Sequence, residues 1–240
     1  MKNLKTKLTE TLAILMVAIL AVSCVDSNNN NNDTFYQEIV TIGASEDGQE
    51  VWFESTNGKY LANGTPASVN FYQYNGNRAL LYFSVSQKMV PGYDKVVNVA
   101  AISVATTVFG VKTASSAEEL SQFGNEPVQI EKTDTHLQGK WLDTMVSYYT
   151  NSDVKSEFSL VAPDPSLIDP NVNVPDGYLY LELHQKVNKQ FSKVTQNKVM
   201  LSFQLQDEYR PSTQGYKGIY LRVDNGSAAA NYITIDNIDD

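Results

Sequence analysis

Cysteine is almost missing from this 240-residue chain, which has one, Cys24. That excludes an internal disulfide and any cysteine-based zinc cluster, since both need more than one thiol. Histidine is nearly as scarce. His136 and His184 are the two copies, and they leave little material for a histidine-rich metal site. Basic charge is also short: 18 lysines and arginines stand against 27 aspartates and glutamates, a formal net charge of −9. Binding to a phosphate backbone draws on counterion release from a basic surface, so nucleic acid is excluded as a partner. No sequence pattern calls for a cofactor. Long apolar runs are missing too, apart from Leu12 to Val22 near the N-terminus. That run falls short of the roughly 20 residues that cross a bilayer.

The run is better explained as export. Lys2, Lys5 and Lys7 precede it, and the small residues Ala21 and Ser23 follow it, which makes residues 1–23 a secretory signal peptide. The string Leu20-Ala21-Val22-Ser23-Cys24 resembles the lipobox of bacterial lipoproteins, with Ala21 where that family usually has leucine. The resemblance implies a diacylglyceryl group on the Cys24 thiol and cleavage that leaves Cys24 first in the mature chain. The expected localisation is a lipid anchor in the outer membrane, periplasmic or surface-exposed. Each buried CH₂ contributes ~0.8 kcal/mol, so two or three acyl chains hold a protein where one holds it only marginally. Removing residues 1–23 takes away three lysines and one glutamate, moving the formal charge from −9 to −11. Anionic lipid repels such a chain, so attachment depends on the lipid and not on a basic patch. Residues 24–34 hold five consecutive asparagines, Asn28 to Asn32, with no apolar pattern, and form a flexible tether. Asp26 is the one acid in its first positions, so the membrane leaflet stays open.

From Phe35 the apolar residues recur mainly with period two, the strand signature. Strands are expected at Ile39–Ile42, Val51–Phe53, Tyr60–Leu61, Val69–Tyr74, Ala79–Val85 and Tyr93–Val104, punctuated by Asp47-Gly48, Asn57-Gly58, Asn63-Gly64, Asn75-Gly76 and Pro91-Gly92. Short strands joined by tight turns suggest a small barrel over residues 35–113. One helix is expected. Ser116 is its N-cap, Glu118 and Glu119 favour the positive end of its dipole, and Gly124 stops it, so residues 114–125 read as a helical linker. Residues 126–240 then supply seven further strands. They include Trp141–Tyr149, Val199–Leu205 and Tyr178–Val187, the last with Leu179, Leu181 and Leu183 on one face and Tyr180, Glu182 and His184 on the other. That series fits an immunoglobulin-like β-sandwich, and the chain as a whole is all-β.

This order of features resembles the NigD-like lipoproteins of anaerobic Gram-negative bacteria. The resemblance rests on the lipobox, the acidic or amide-rich tether and the five-strand first half. It also rests on Phe123-Gly124-Asn125-Glu126-Pro127-Val128, on Trp141-Leu142 and on Leu181-Glu182-Leu183-His184. It implies an OB-like barrel followed by a β-sandwich, and no established activity. The family name comes from a bacteriocin-associated gene cluster.

Candidate chemistry is thin. Serine-type catalysis needs a histidine beside an activated serine, and there is no G-x-S-x-G elbow. His184, opposite the leucines of its strand, is expected to be an exposed or sheet-face residue and not a catalytic one. The segment Asp169 to Asp176 alternates oxygen ligands as a calcium loop would, but Val174 and Tyr180 stand where an EF-hand needs glycine and glutamate, so a stiff proline-rich loop is expected instead. The aromatic residues Trp52, Tyr60, Tyr72, Tyr74 and Tyr82 are the candidate ligand contacts, because OB-type barrels bind oligosaccharides or single strands on one face with such rings. The acidic charge favours an oligosaccharide. Asp143-Thr144-Met145 resembles a three-residue acceptor for O-linked glycans, with Thr144 as the site. Asn63-Gly64-Thr65 and Asn225-Gly226-Ser227 match an N-glycan sequon but read as turns. The functional expectation is a non-catalytic envelope lipoprotein that binds a glycan or another envelope protein. The alternatives are a bacteriocin-associated immunity protein and a weak hydrolase. Neither the ligand nor the oligomeric state follows from the sequence.

Overall fold

The computed structural model describes residues 34–64, 70–151, 153–190, 195–226 and 230–237. The signal peptide, Cys24 and the asparagine run lie outside the described residues. The chain divides into two compact units, residues 1–104 and 105–240.

The first unit is a closed barrel of β1 (Phe35–Ala44), β2 (Val51–Ser55), β3 (Gly58–Ala62), β4 (Arg78–Val85) and β5 (Lys95–Val104), in the order β1-β2-β3-β5-β4. The β1/β2, β2/β3 and β4/β5 neighbours are antiparallel. Closure comes from the β1/β4 pairing and from the parallel pair β3/β5, Tyr60 opposite Lys95. Five strands in this circuit make the expected OB-like barrel. Inward residues at alternate positions fill it: Val40 and Ile42, Val51 and Phe53, Tyr60, Ala79, Leu81 and Phe83. Outward positions mix polar and aromatic residues, and one of them is tightly packed. Gly43 lies opposite Trp52, and the indole rests where a side chain on residue 43 would be.

One expected strand is a turn. Phe71–Tyr74 forms a single 3₁₀ turn, not a strand from Val69, and Val69 itself lies outside the described residues. Asn70 caps the turn, its side-chain oxygen accepting from the Tyr72 backbone N–H at 3.2 Å. In a 3₁₀ turn residues i and i+3 eclipse, so Phe71 and Tyr74 face the barrel together while Tyr72 points to solvent.

The second unit is a two-sheet sandwich. One sheet runs β14-β13-β11-β10-β7, and the other β6-β12-β9-β8. Their strands are β6 (Thr106–Phe109), β7 (Lys112–Ala114), β8 (Val128–Gln138), β9 (Trp141–Thr150), β10 (Ser156–Pro163), β11 (Tyr178–Val187), β12 (Thr195–Gln204), β13 (Gly218–Val223) and β14 (Asn231–Asp236). The core between the sheets is built by Leu142 and Val146 of β9, Leu201 and Phe203 of β12, Leu160 of β10, Leu181 and Leu183 of β11, Leu221 of β13 and Ile235 of β14. The antiparallel ladders are joined by parallel pairs at β6/β12, β7/β10 and β11/β13.

The division between the units falls at Val104/Ala105, not at residue 113. The cause is pairing. Thr106–Phe109 adds to β12 and Lys112–Ala114 adds to β10, so residues assigned to the barrel by sequence are edge strands of the sandwich. The helix is confirmed at Ala117–Ser121, with the Ser116 hydroxyl accepting from the Glu119 N–H at 3.2 Å. It belongs to the second unit and does not link the two.

Candidate functional site

The alternation along β11 holds: Leu181 and Leu183 face the core. The opposite face, however, is not exposed. Glu182 is 3 % and His184 4 % accessible, and Tyr180 is buried with them. Of the two places expected for His184, the sheet face holds and exposure does not: the residue is buried on that face. The segment from the short helix to Asn125 and the loop at Leu167 and Asp169 lie over this face and enclose a pocket of about 240 Å³.

The floor of the pocket is set by strand register. The parallel pair β11/β13 puts Glu182 beside Arg222, and the antiparallel pair β13/β14 puts Arg222 beside Tyr232. One row across three strands thus reads carboxylate, guanidinium, phenol. A second row places Tyr180 beside Tyr220, and the Tyr220 and Tyr232 rings stack at 5.4 Å, 12° from parallel.

Glu182 is the centre of the polar network. Its Oε1 accepts from the Tyr180 hydroxyl at 2.8 Å. Its Oε2 lies 2.9 Å from Arg222 Nη1, which donates to it, and 3.0 Å from His184 Nε2. The other ring nitrogen, Nδ1, lies 2.8 Å from the Gly124 carbonyl. A carbonyl can only accept, so Nδ1 is the donor to Gly124, and Nε2 is turned to the Glu182 carboxylate. Burial alone would raise the Glu182 pKa. Hydrogen bonds from His184 and Tyr180 and the Arg222 charge outweigh it and hold the carboxyl below its ordinary range. Burial, and then the Glu182 charge, push the Tyr180 phenol far up. Burial would lower Arg222, but Glu182 more than offsets it and the guanidinium is held more firmly charged.

Gly124 makes the His184 contact possible. It sits at φ +83°, where a side chain would be strained, and a Cβ there would run into the Gln185 carbonyl and the Lys186 backbone. The sequence marked this glycine as a helix stop; its second role is to bring a carbonyl to the imidazole.

Chemically the site is a set of polar groups held by one another. Both imidazole nitrogens are engaged within the protein, so neither offers a free lone pair to a bound molecule. Arg222 is about a quarter exposed and gives one of its five N–H donors to Glu182. Arg222 lines the pocket together with Tyr232, Leu120 and Leu167.

The residues singled out by sequence lie elsewhere. Tyr60 is fully buried in the barrel core, its hydroxyl donating to Glu38 Oε2 at 3.0 Å, so it is a packing residue and not a contact. Tyr74 packs against the same core. Trp52 is half-buried over Gly43, its indole N–H donating to Glu54 at 3.1 Å and Lys59 Nζ lying 4.9 Å from its ring. Tyr72 and Tyr82 are exposed, Tyr82 stacked on Phe35 at 5.1 Å. The five do not form one face. Thr144 is 1 % accessible and its hydroxyl is 2.8 Å from that of Thr135, so the folded strand offers no acceptor hydroxyl for a glycan. Asp169 turns its carboxylate onto Asn171, whose backbone N–H and side-chain amide donate to it at 2.9 and 2.8 Å. Among the described residues no group of three or more histidine, cysteine, aspartate or glutamate side chains is gathered to hold a metal. Arg222 and Tyr232 were not picked out by sequence, and Glu182 was marked only by its face of β11, because the pairing that gathers the three is between strands distant in the chain.

No family model matches this chain, and no curated protein matches it. Solved structures do. A protein of unknown function from Bacteroides vulgatus is 18% identical, with 85% of this chain and 90% of that one covered and a TM-score of 0.66. The fold is shared. A Bacteroides fragilis protein provisionally named a lipoprotein is 15% identical, with 85% and 97% covered and a TM-score of 0.55. A NigD-like immunity protein from Bacteroides caccae is also 15% identical, with 86% and 93% covered and a TM-score of 0.49. At these identities the likeness to the Bacteroides vulgatus and Bacteroides fragilis proteins is one of fold, over 85% of this chain.

Proposed function

We propose that this protein is a non-catalytic, lipid-anchored module of the bacterial cell envelope that binds a glycan in the pocket on the outer face of the sandwich. The observation that carries the reading is the buried network of Tyr180, Glu182, His184 and Arg222, which holds one guanidinium firmly at the pocket floor. Sugars offer hydroxyl acceptors to such a donor and ring faces to tyrosine, and a volume of about 240 Å³ suits a single sugar ring with its neighbours outside. The engaged imidazole supports a binding role over a catalytic one. The lipobox-like string ending at Cys24 supports the anchor and export to the outer membrane, and the provisional name of the Bacteroides fragilis neighbour is in keeping with it.

The test is a glycan array probed with the full chain and with Arg222→Gln. The reading expects a defined subset of glycans to be retained by the parent protein and released by the variant. An array that stays blank while crosslinking traps an envelope protein would replace the glycan with a protein partner.

A further inference from the structure

Nine large apolar or aromatic side chains are exposed among the described residues, and four of them, Phe35, Tyr36, Tyr82 and Val85, belong to one strand pair of the barrel. The β1/β4 register gathers the four at one end of the strand pair, on both sides of it: Phe35, opposite Ser84, and Tyr82, opposite Gln37, follow the outward alternation, while Tyr36, opposite Phe83, and Val85, two residues beyond Phe83, follow the inward one at the barrel mouth. Phe35 and Tyr82 stack outside the barrel at 5.1 Å, 12° from parallel. Tyr36 stacks on the core residue Phe83 at 5.7 Å while remaining 46 % accessible. Val85 ends β4, one residue beyond the partner of Phe35. No lysine or arginine is among them.

This patch is where the described chain begins. Cys24 precedes Phe35 by eleven residues, so even a fully extended connection reaches at most ~40 Å. We infer that the barrel end bearing Phe35, Tyr36, Tyr82 and Val85 docks on the lipid surface that carries the anchor. The inference rests on the lipid attachment proposed above. Phenol and phenyl rings with one wet edge suit the boundary between headgroups and acyl chains. A short connection also makes the patch effective without much affinity of its own, because the anchor holds it at a local concentration on the millimolar scale. The chain is acidic, so the contact is apolar in origin and does not depend on anionic lipid.

The test uses the full chain, processed and lipidated in a bacterial host, with Val85→Cys carrying an environment-sensitive dye. The acylated Cys24 sulfur is a thioether and takes no label. The protein is reconstituted in phosphatidylcholine vesicles with and without brominated acyl chains. The expected result is dye emission shifted to shorter wavelength and quenched by bromine, with both effects lost in a Phe35→Ser/Tyr82→Ser background that still floats with the vesicles. Flotation with emission as in water would overturn the docking and leave the anchor standing. A blue shift without bromine quenching would show the patch covered by protein and would also overturn it. Failure to float would remove the anchor and the docking together.

Discussion

The barrel and the sandwich use aromatic residues in opposite ways. In the barrel they serve separate places without a shared polar centre: Tyr60 fills the core, Trp52 rests on Gly43, Tyr74 packs against the interior and Tyr82 stacks on Phe35 at the surface. In the sandwich Tyr180, Tyr220 and Tyr232 are gathered beside Glu182, His184 and Arg222 on one sheet face. A count of aromatics per strand favours the barrel as the binding unit. What distinguishes the sandwich is a buried, hydrogen-bonded polar network under a partly covered pocket, and such networks fix side chains in place because every member left unpaired is costly.

The largest effect is expected where that network is broken. Glu182→Ala leaves Arg222 and His184 without their common acceptor, and removing one partner of a buried ionic cluster costs about 3–5 kcal/mol. Chemical denaturation should show this loss, whereas Tyr82→Ala, on the barrel surface, should stay within about 0.5 kcal/mol of the parent. Equal losses would erase the contrast between the two regions.

Next in size is a change that tests close packing in the barrel. Gly43→Ala puts a methyl group into the Trp52 indole, so the ring must swing away. Overpacking of this kind costs about 1–3 kcal/mol. Tryptophan emission should report a more solvated Trp52, with the sandwich's Trp141 as the unchanged second signal.

A smaller effect is expected from acid. The Glu182 carboxyl is held below its ordinary range in the folded protein, so its contribution is fully present above that range. As pH falls through about 4.3, the ordinary value for glutamate, the unfolded chain takes up the proton first, and the contribution is gone once pH passes the depressed folded value. Thermal melts from pH 6 downward should therefore fall more steeply for the parent than for Glu182→Gln. Parallel curves would show that the carboxyl is not held by its partners.

The strands themselves were largely readable from period-two patterning and from turns such as Asp47-Gly48 and Asn57-Gly58, because alternation and glycine at positive φ are local. The helix start at Ser116 was readable for the same reason. What escaped is non-local. Thr106–Phe109 and Lys112–Ala114 look like a continuation of the barrel until parallel pairing assigns them to β12 and β10. The face of β11 bearing Tyr180, Glu182 and His184 was identified correctly, but its burial was not, since the residues that cover it come from the segments around residues 117–125 and 167–169. Arg222 carries no local mark at all; it joins the site only because β13 lies parallel to β11.

The central claim is that ligand is held by the sandwich pocket and not by the barrel aromatics. Titration of the array-selected glycan into the parent protein, Arg222→Gln and Trp52→Ala tests it directly. Loss of a charge-assisted hydrogen bond, about 1.5–3 kcal/mol, predicts affinity weakened roughly 10- to 100-fold in Arg222→Gln. Trp52→Ala should bind as the parent does. Affinity lost in Trp52→Ala and kept in Arg222→Gln would contradict the account and return the site to the barrel.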